Sequence, residues 1–306
     1  MKMDSDTTHI QTDDSARALL EGIIDYAGLF PPSQVSMAEA VLNYATYRNS
    51  NYNWMLGRFV LPAARLEEFL ENTGDFVPRN QQNVWRLSVL AGEDVPGTIR
   101  RIDNFNAQNS SRVLCDVLEL KAFTTSEIEN AVKALPDYLT AYFEVPVGKR
   151  LAELVTELAI RGQRAKIRTG GVTNDAFPTT AEIIRFIRTC LAANVPFKAT
   201  AGLHHALRCF KPLTYDSNAP MGAMHGFLNL FLATGFARQG FKPSLLESLL
   251  EDEFAESFEF TEGAITWHRD YILTAAQIAR TRQSIVSFGS CSFDEPVADL
   301  QEMKVL

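Results

Sequence analysis

Apolar positions along this chain switch between two periods. Runs rich in branched and aromatic residues, bounded by glycine or proline, read as strands: 22–29, 54–62, 84–92, 112–123 and 139–148. Pro31 and Pro32 stop the first of them. Between these runs, apolar residues recur at three- and four-residue spacing, the signature of an amphipathic helix. Ser36 is placed to cap a helix reaching Asn49, with Ala40, Val41 and Tyr44 on one face. ARLEEFLEN, a segment holding Ile99, Ile102 and Phe105, SEIENAVKAL capped by Ser126, and RLAELVTELAIRG follow in turn. Two further strands, AKIRTGG (165–171) and VPFKATAG (195–202), flank a helix with Ile183, Ile184, Ile187, Cys190 and Leu191 on its inner face and Thr179 or Thr180 as cap. SIVSFGS (284–290) is an eighth strand, and DEPVADLQEM a closing helix.

Strand and helix thus alternate at intervals of roughly 30 residues, which implies a parallel sheet with outer helices. Both an open doubly wound sheet and a closed barrel fit that order. No GxGxxG follows the first strand and no GxxxxGK[ST] occurs anywhere, which argues against a nucleotide-binding open sheet. The expected fold is therefore α/β, a (βα)8 TIM barrel. A large helical and hairpin insertion is expected between strands seven and eight, about residues 210–283. It would hold the apolar helix MHGFLNLFLATGFARQG, the acidic helix PSLLESLLEDEF, a hairpin turning near Glu262-Gly263, and the helix YILTAAQIARTR. The expected organisation is a flexible tail over 1–18 and one barrel domain over 19–306.

Composition narrows the function classes. The 306 residues are 46% hydrophobic, enough for one large core. A net charge of −8 speaks against non-specific binding to nucleic acid or an anionic membrane surface. Cys115, Cys190, Cys209 and Cys291 are far apart with no CxxC pair, so reduced thiols and a cytoplasmic location are expected. The polar, acidic N-terminus has no signal-peptide core, and no run approaches the roughly 20 apolar residues of a membrane span.

The candidate chemistry lies on strands that carry charge. A parallel strand covered by helices is normally apolar throughout, yet Lys166 and Arg168 share one strand face, and so do Lys198 and Thr200. In barrels, reacting groups sit at the C-terminal strand ends. There the chain offers Asp25, Arg58, Glu119, Lys121, Glu144, Lys166, Arg168, Lys198, His204, His205, Ser290 and Ser292. A lysine becomes a nucleophile only when unprotonated, and a neighbouring cation favours that state. Lys166, with Arg168 and Lys198 beside it, is a candidate for a Schiff base with a carbonyl substrate. Glu144, Glu119 or Asp25 would move protons, and His204 is a second proton-transfer candidate. Both lysines as plain charges holding an anion is the alternative. Small-residue turns at Gly170-Gly171, Gly202 and Gly289-Ser290 would expose backbone N–H groups to phosphate or carboxylate.

These segments resemble those of deoxyribose-phosphate aldolase, a class I aldolase on a (βα)8 barrel. Lys166-Ile-Arg-Thr-Gly170 is similar to that family's sixth-strand KTSTG, whose lysine forms the Schiff base. Lys198-Ala-Thr-Ala-Gly202 is similar to its seventh-strand motif, whose lysine tunes the first, and Ser287 to Ser292 to its eighth-strand phosphate turn. The resemblance covers about a third of the chain in short motifs. It implies lysine-imine lyase chemistry. Departures are plain. The family's strand-four aspartate has only Asp116 nearby, expected on the opposite face from Cys115, Glu119 and Lys121. Gly202-Leu-His-His replaces the family's Gly-Gly-Val-Arg, and the segment before strand eight is foreign to it. IDYAGLFPP, FKATAGLHH and MHGFLN also look like strings from a bacterial family without assigned activity.

Two rival readings stand. His204, His205 and His225 with Asp25, Glu119 or Glu144 would make a divalent-metal site, His204 and His225 being its histidines, although adjacent histidines on an extended segment point opposite ways and no HxH or HExxH occurs. A non-catalytic binding or assembly barrel would use the MHGFLNLFLATGF helix as a subunit contact. Cys291 reads as a buried structural thiol or, near helix N–H groups, a reactive one. The favoured expectation is a cytoplasmic, cofactor-free barrel enzyme, able to self-associate, acting on a small anionic or phosphorylated carbonyl compound. Lys166, Lys198, Glu144, Glu119 and His204 would be catalytic. Asp25, Arg58, Lys121, Arg168, Gly170, Gly171, Gly202, His205, Gly289 and Ser290 would bind the anion.

Overall fold

The computed structural model describes residues 14–306 apart from 75 and 78–82. The predicted strand runs form β1 (Ile24–Tyr26), β2 (Leu56–Pro62), β3 (Trp85–Leu90), β4 (Val113–Lys121), β5 (Thr140–Glu144), β6 (Arg164–Arg168) and β7 (Phe197–Thr200), and a late strand, β13 (Ile285–Ser290), completes the ring. All neighbours in the ring are parallel, in the order β1-β13-β7-β6-β5-β4-β3-β2, and it closes on itself. This is an eight-stranded parallel barrel with helices outside it, an α/β TIM-barrel architecture.

Helices follow each of the first six strands: α2 (Met37–Arg48), α3 (Leu66–Thr73), α4 (Val95–Asn109), α5 (Thr125–Ala134), α6 (Leu151–Ile160) and α7 (Thr180–Ala192). Their starts are set by side-chain caps. Ser36 accepts from Glu39 N as expected. Thr179, not Thr180, caps α7, and Glu182 reaches back to it. For α5 the cap is Thr124 rather than Ser126, because Glu127 at the third helical position completes a capping box with Thr124.

The chain before β1 departs from expectation. Residues 14–18 belong not to a tail but to helix α1 (Asp14–Leu20), with Ala16, Leu19 and Leu20 buried. That i, i+3, i+4 apolar set packs on the helix preceding β13. The remainder of the expected tail, 1–13, lies outside the described residues.

Between β7 and β13 the chain runs through a two-stranded hairpin, β8 (Cys209–Pro212) with β9 (Met221–Met224), then α8 (Phe227–Arg238) and α9 (Pro243–Leu250). A three-stranded antiparallel sheet follows, β10 (Phe258–Phe260), β11 (Ala264–Trp267) and β12 (Tyr271–Thr274), turning at Glu262-Gly263 between its first two strands. Helix α10 (Ala275–Ser284) leads into β13, and α11 (Asp294–Glu302) closes the fold. YILT is thus strand, not helix, and Thr274 caps the helix that begins after it. Helix α8 is apolar nearly all round because it is covered all round: Phe227 to Phe236 are buried, packed by α7, α9, α10 and β13. Phe227 stacks on Phe288 of β13 at 4.8 Å. This covering rules out α8 as the exposed subunit contact considered above. The polar Asn229 in its midst is satisfied, accepting from Arg208 N and donating to Leu249 O and Asp252 O.

One irregularity shapes the interior. The β3–β4 register runs Leu87↔Cys115, then Ser88↔Val117, so Asp116 is an extra residue in β4. Cys115 points to α4, where Asn106 pairs with its backbone. Past the bulge the alternation resumes one step out of phase. Asp116 and Glu119, three residues apart, therefore both reach groups inside the barrel. This corrects the expectation that Asp116 lies opposite Glu119.

Candidate active site

Interior-facing residues of the barrel form a chain of ion pairs. Asp25 Oδ2 lies 2.6 Å from Lys198 Nζ, and Lys198 Nζ 2.7 Å from Glu119 Oε1. Glu119 Oε2 is 2.9 Å from Lys166 Nζ, Lys166 Nζ 2.7 Å from Glu144 Oε2, and Glu144 Oε1 3.1 Å from Arg168 Nε. The register dictates this order: Lys166 is level with Lys198 on one side and Glu144 on the other. Hydroxyls and a backbone amide fill remaining lone pairs. Ser287 donates to Asp25, Ser88 to Glu119, and Arg58 N to Asp25 Oδ1. The set balances Asp25, Glu119 and Glu144 against Lys198, Lys166 and Arg168, which is what allows it to be buried.

The electrostatics follow from that pairing. Burial would raise the Glu119 carboxyl, but Lys166 and Lys198 hold it well below the usual carboxylate range. Burial likewise works against Glu144, and Lys166 with Arg168 lowers it. Burial would lower Lys198, yet Asp25 and Glu119 hold it above an ordinary lysine. The Glu144 Oε2–Lys166 approach is an ion pair whose angle is not that of a hydrogen bond.

A pocket of about 260 Å³ opens above this chain. Glu119, Lys166, Arg168 and His204 give it charge and polarity; Phe30, Pro31, Val60, Leu90 and Val172 give it apolar walls; Gly171, Thr200, Gly289 and Cys291 complete the rim. Lys166 is 4% exposed, at the pocket's floor. Arg168 is half-exposed above it, and among the described residues neither of its terminal nitrogens has a hydrogen-bond partner.

The expected site residues divide accordingly. Glu119, Lys166, Arg168, Gly171, His204 and Gly289 line the pocket. Glu144 touches it through Lys166 and Arg168. Asp25 and Lys198 are sealed beneath it, members of the ion-pair chain rather than contacts for a bound molecule. Lys121 is exposed at the end of β4 and does not line the cavity.

Four expectations are corrected. Arg58 does not line the pocket. It lies one residue before Phe59, which is level with Leu87, and forms a bidentate pair with Asp116, which also holds Arg86. His205 turns away to Asp299 of α11 at 3.0 Å. Ser290 faces outward, as alternation from Gly289 requires, and its hydroxyl accepts from Ser292 N. Gly170 and Gly202 serve packing, because a Cβ on Gly202 would lie 2.8 Å from Gly170 Cα. Gly202 also has φ +74°, where an L side chain is strained.

The two histidines named for a metal are apart in environment. His225 Nε2 bonds Pro178 O and its ring lies beside Phe177, whereas His204 is beside Cys291 and Glu295. Among the described residues no group of three or more His, Cys, Asp and Glu is placed to hold a metal ion. Sequence reasoning missed the Cys291–His204–Glu295 contact and Tyr215, which reaches into it from the β8–β9 connection. The only signal available was the GSC turn before a helix. Among the described residues no helix is long and apolar enough to span a membrane. No known family model and no curated protein matches this chain.

Proposed function

We propose that this chain is a barrel enzyme of the lyase or aldolase type, acting on a small anionic or phosphorylated carbonyl compound through an imine at Lys166. The observation that carries this reading is a lysine at the floor of an open pocket, held between the carboxylates of Glu119 and Glu144. The Lys166 amine gives up its proton to solvent at the open pocket, while Glu144, 2.7 Å away, holds the group in place. The free amine then adds to the carbonyl carbon, and loss of water gives the C=N bond. Lys198 keeps a fixed positive charge nearby, anchored by Asp25 and Glu119. Glu119 takes the strand-four carboxylate's place between the two lysines, which supports the resemblance to class I aldolases despite Asp116 being elsewhere. The open terminal nitrogens of Arg168 suit a carboxylate or phosphate. Free cysteines and the negative net charge support a cytoplasmic location without nucleic-acid partners.

Borohydride trapping tests this. The protein is incubated with a panel of small aldehydes and sugar phosphates, reduced, and weighed intact; the adduct is mapped by peptide sequencing. One adduct per chain, located on Lys166 and absent in Lys166→Ala, is the expected result. No adduct with any carbonyl, or one on a surface lysine, overturns the imine and leaves Lys166 as a charge that holds an anion or an ion pair.

A further inference from the structure

The pocket holds a second reactive constellation that the imine does not use. Cys291, the residue after β13, lines the cavity and is 5% exposed. Its Sγ lies 3.5 Å from His204 Nδ1. The same nitrogen is 3.6 Å from Glu295 Oε2 in the first turn of α11. Tyr215 OH donates to Glu295 Oε2 at 3.1 Å and lies 3.8 Å from the sulfur. Ser33 Oγ donates to the Cys291 carbonyl at 3.2 Å. The remaining neighbours do not compete for the thiol's proton: the Tyr26 and Tyr47 phenols are pushed up chiefly by burial, and Tyr47 is engaged with Asp294.

The charge state follows from these contacts. Burial would raise the thiol, but His204 holds it below an ordinary cysteine. Burial would lower His204, but Cys291 and Glu295 push it up to about 9. Among the described residues no other cysteine has such a partner. Cys115 and Cys190 are pushed up by burial, and Cys209 to about 11.

We propose that Cys291 is a second nucleophile of this pocket, with His204 as its proton partner, and that it captures a small anionic aldehyde or ketone whose charged end meets Arg168. In the step, the Cys291 thiolate pair forms the S–C bond and the C=O π pair moves to oxygen. That oxygen takes the proton from His204, giving a neutral hemithioacetal that reverses by the same path. No oxidant or reductant is consumed. Glu295 and Tyr215 are positioning residues: Glu295 orients His204 and raises its proton affinity, and Tyr215 holds Glu295. The inference does not depend on the Lys166 imine. The two are read by different reagents, so either can fail alone.

Alkylation tests it. Iodoacetamide is applied to the full chain from pH 5.5 to 9.5, and modified cysteines are mapped. The expected result is that Cys291 reacts first at pH 6.5, on a profile whose midpoint lies below that of an ordinary thiol. An ordinary thiol there is only about 1% thiolate, so His204→Gln slows Cys291 by about tenfold or more. Glu295→Gln leaves the pH 6.5 rate within about twofold but brings the upper limb of the profile to lower pH, a shift that loss of packing alone does not produce. Glyoxylate as the added carbonyl protects Cys291, and acetaldehyde at equal concentration does not. Equal protection by both, or by neither, overturns the anionic class. First reaction at Cys209, or a wild-type Cys291 profile with an ordinary thiol midpoint, overturns the nucleophile assignment whether or not the variants fold.

Discussion

Replacing Lys198 by methionine keeps the side chain's bulk and removes one charge from the interior ion-pair chain. At contacts of 2.6 and 2.7 Å, an effective dielectric of about 20 gives roughly 6 kcal/mol of attraction each. Most of that offsets the cost of taking the ions out of water, and breaking a buried pair by removing one partner costs about 3–5 kcal/mol net. For a barrel of this size that is a loss of roughly 5–8 °C in Tm. The chain of charges, neutral before, carries one negative charge after. The pH dependence follows from Glu119, whose carboxyl the lysines hold below its unfolded value. Such a group contributes stability above the unfolded carboxyl pKa of about 4.3, and the contribution is lost as pH falls through the folded value. With Lys198 gone the depression relaxes, so the gap between wild type and variant is widest at pH 7 and narrows toward pH 4. Asp25→Asn in the same chain restores neutrality, its carbonyl oxygen accepting from Arg58 N and its amide N–H donating to the Ser287 hydroxyl, which turns to accept. The double variant is then more stable than the sum of the single losses predicts, by about 1.5 kcal/mol or more. Thermal unfolding followed by circular dichroism at pH 7 and 4.5 reads all three proteins. A Lys198→Met Tm within 2 °C of wild type, a gap that does not change with pH, or strict additivity in the double variant would refute the account.

Two further outcomes bear on the corrected assignments. Arg58→Gln breaks the bidentate pair with Asp116, which does not line the pocket, so it lowers Tm by several degrees. It leaves the Lys166 adduct yield unchanged; a loss of adduct in a fully folded variant would return Arg58 to the site. Gly202→Ala forces a Cβ to within 2.8 Å of Gly170 at φ +74°. The expected cost is about 1–3 kcal/mol, seen in denaturant unfolding, together with slower labelling of Lys166; an unchanged midpoint would show that the loops after β6 and β7 accommodate the methyl group.

The architecture was legible because it rests on local patterns. Alternating strand and helix runs, proline stops and small turns are short-range signals, and the eight-stranded parallel ring follows from them with the right strands in the right order. Lys166, Lys198, Arg168 and Glu144 were recognisable for the same reason: charges on a strand expected to be apolar are anomalous without reference to anything distant. Helix α1 and strand β12 were read less well, since a seven-residue helix and a four-residue strand carry little periodicity and take their form from what they pack on.

Local patterns in the chain thus encode the barrel and the cationic strands that carry its candidate chemistry. Tertiary structure alone decided which charges meet and where. The bulge at Asp116 changed the phase of β4, sending Glu119 to the lysines and Asp116 to Arg58; a one-residue slip inverts every later side chain and leaves no mark in composition. Depth was equally unreadable. Asp25 and Lys198 are sealed, whereas Lys166 and Arg168 meet the pocket, because barrel register and not strand position sets the level of each side chain. The Cys291–His204–Glu295 contact joins the end of β13, the segment after β7 and the first turn of α11. Residues that far apart in the chain are brought together only by closure of the ring.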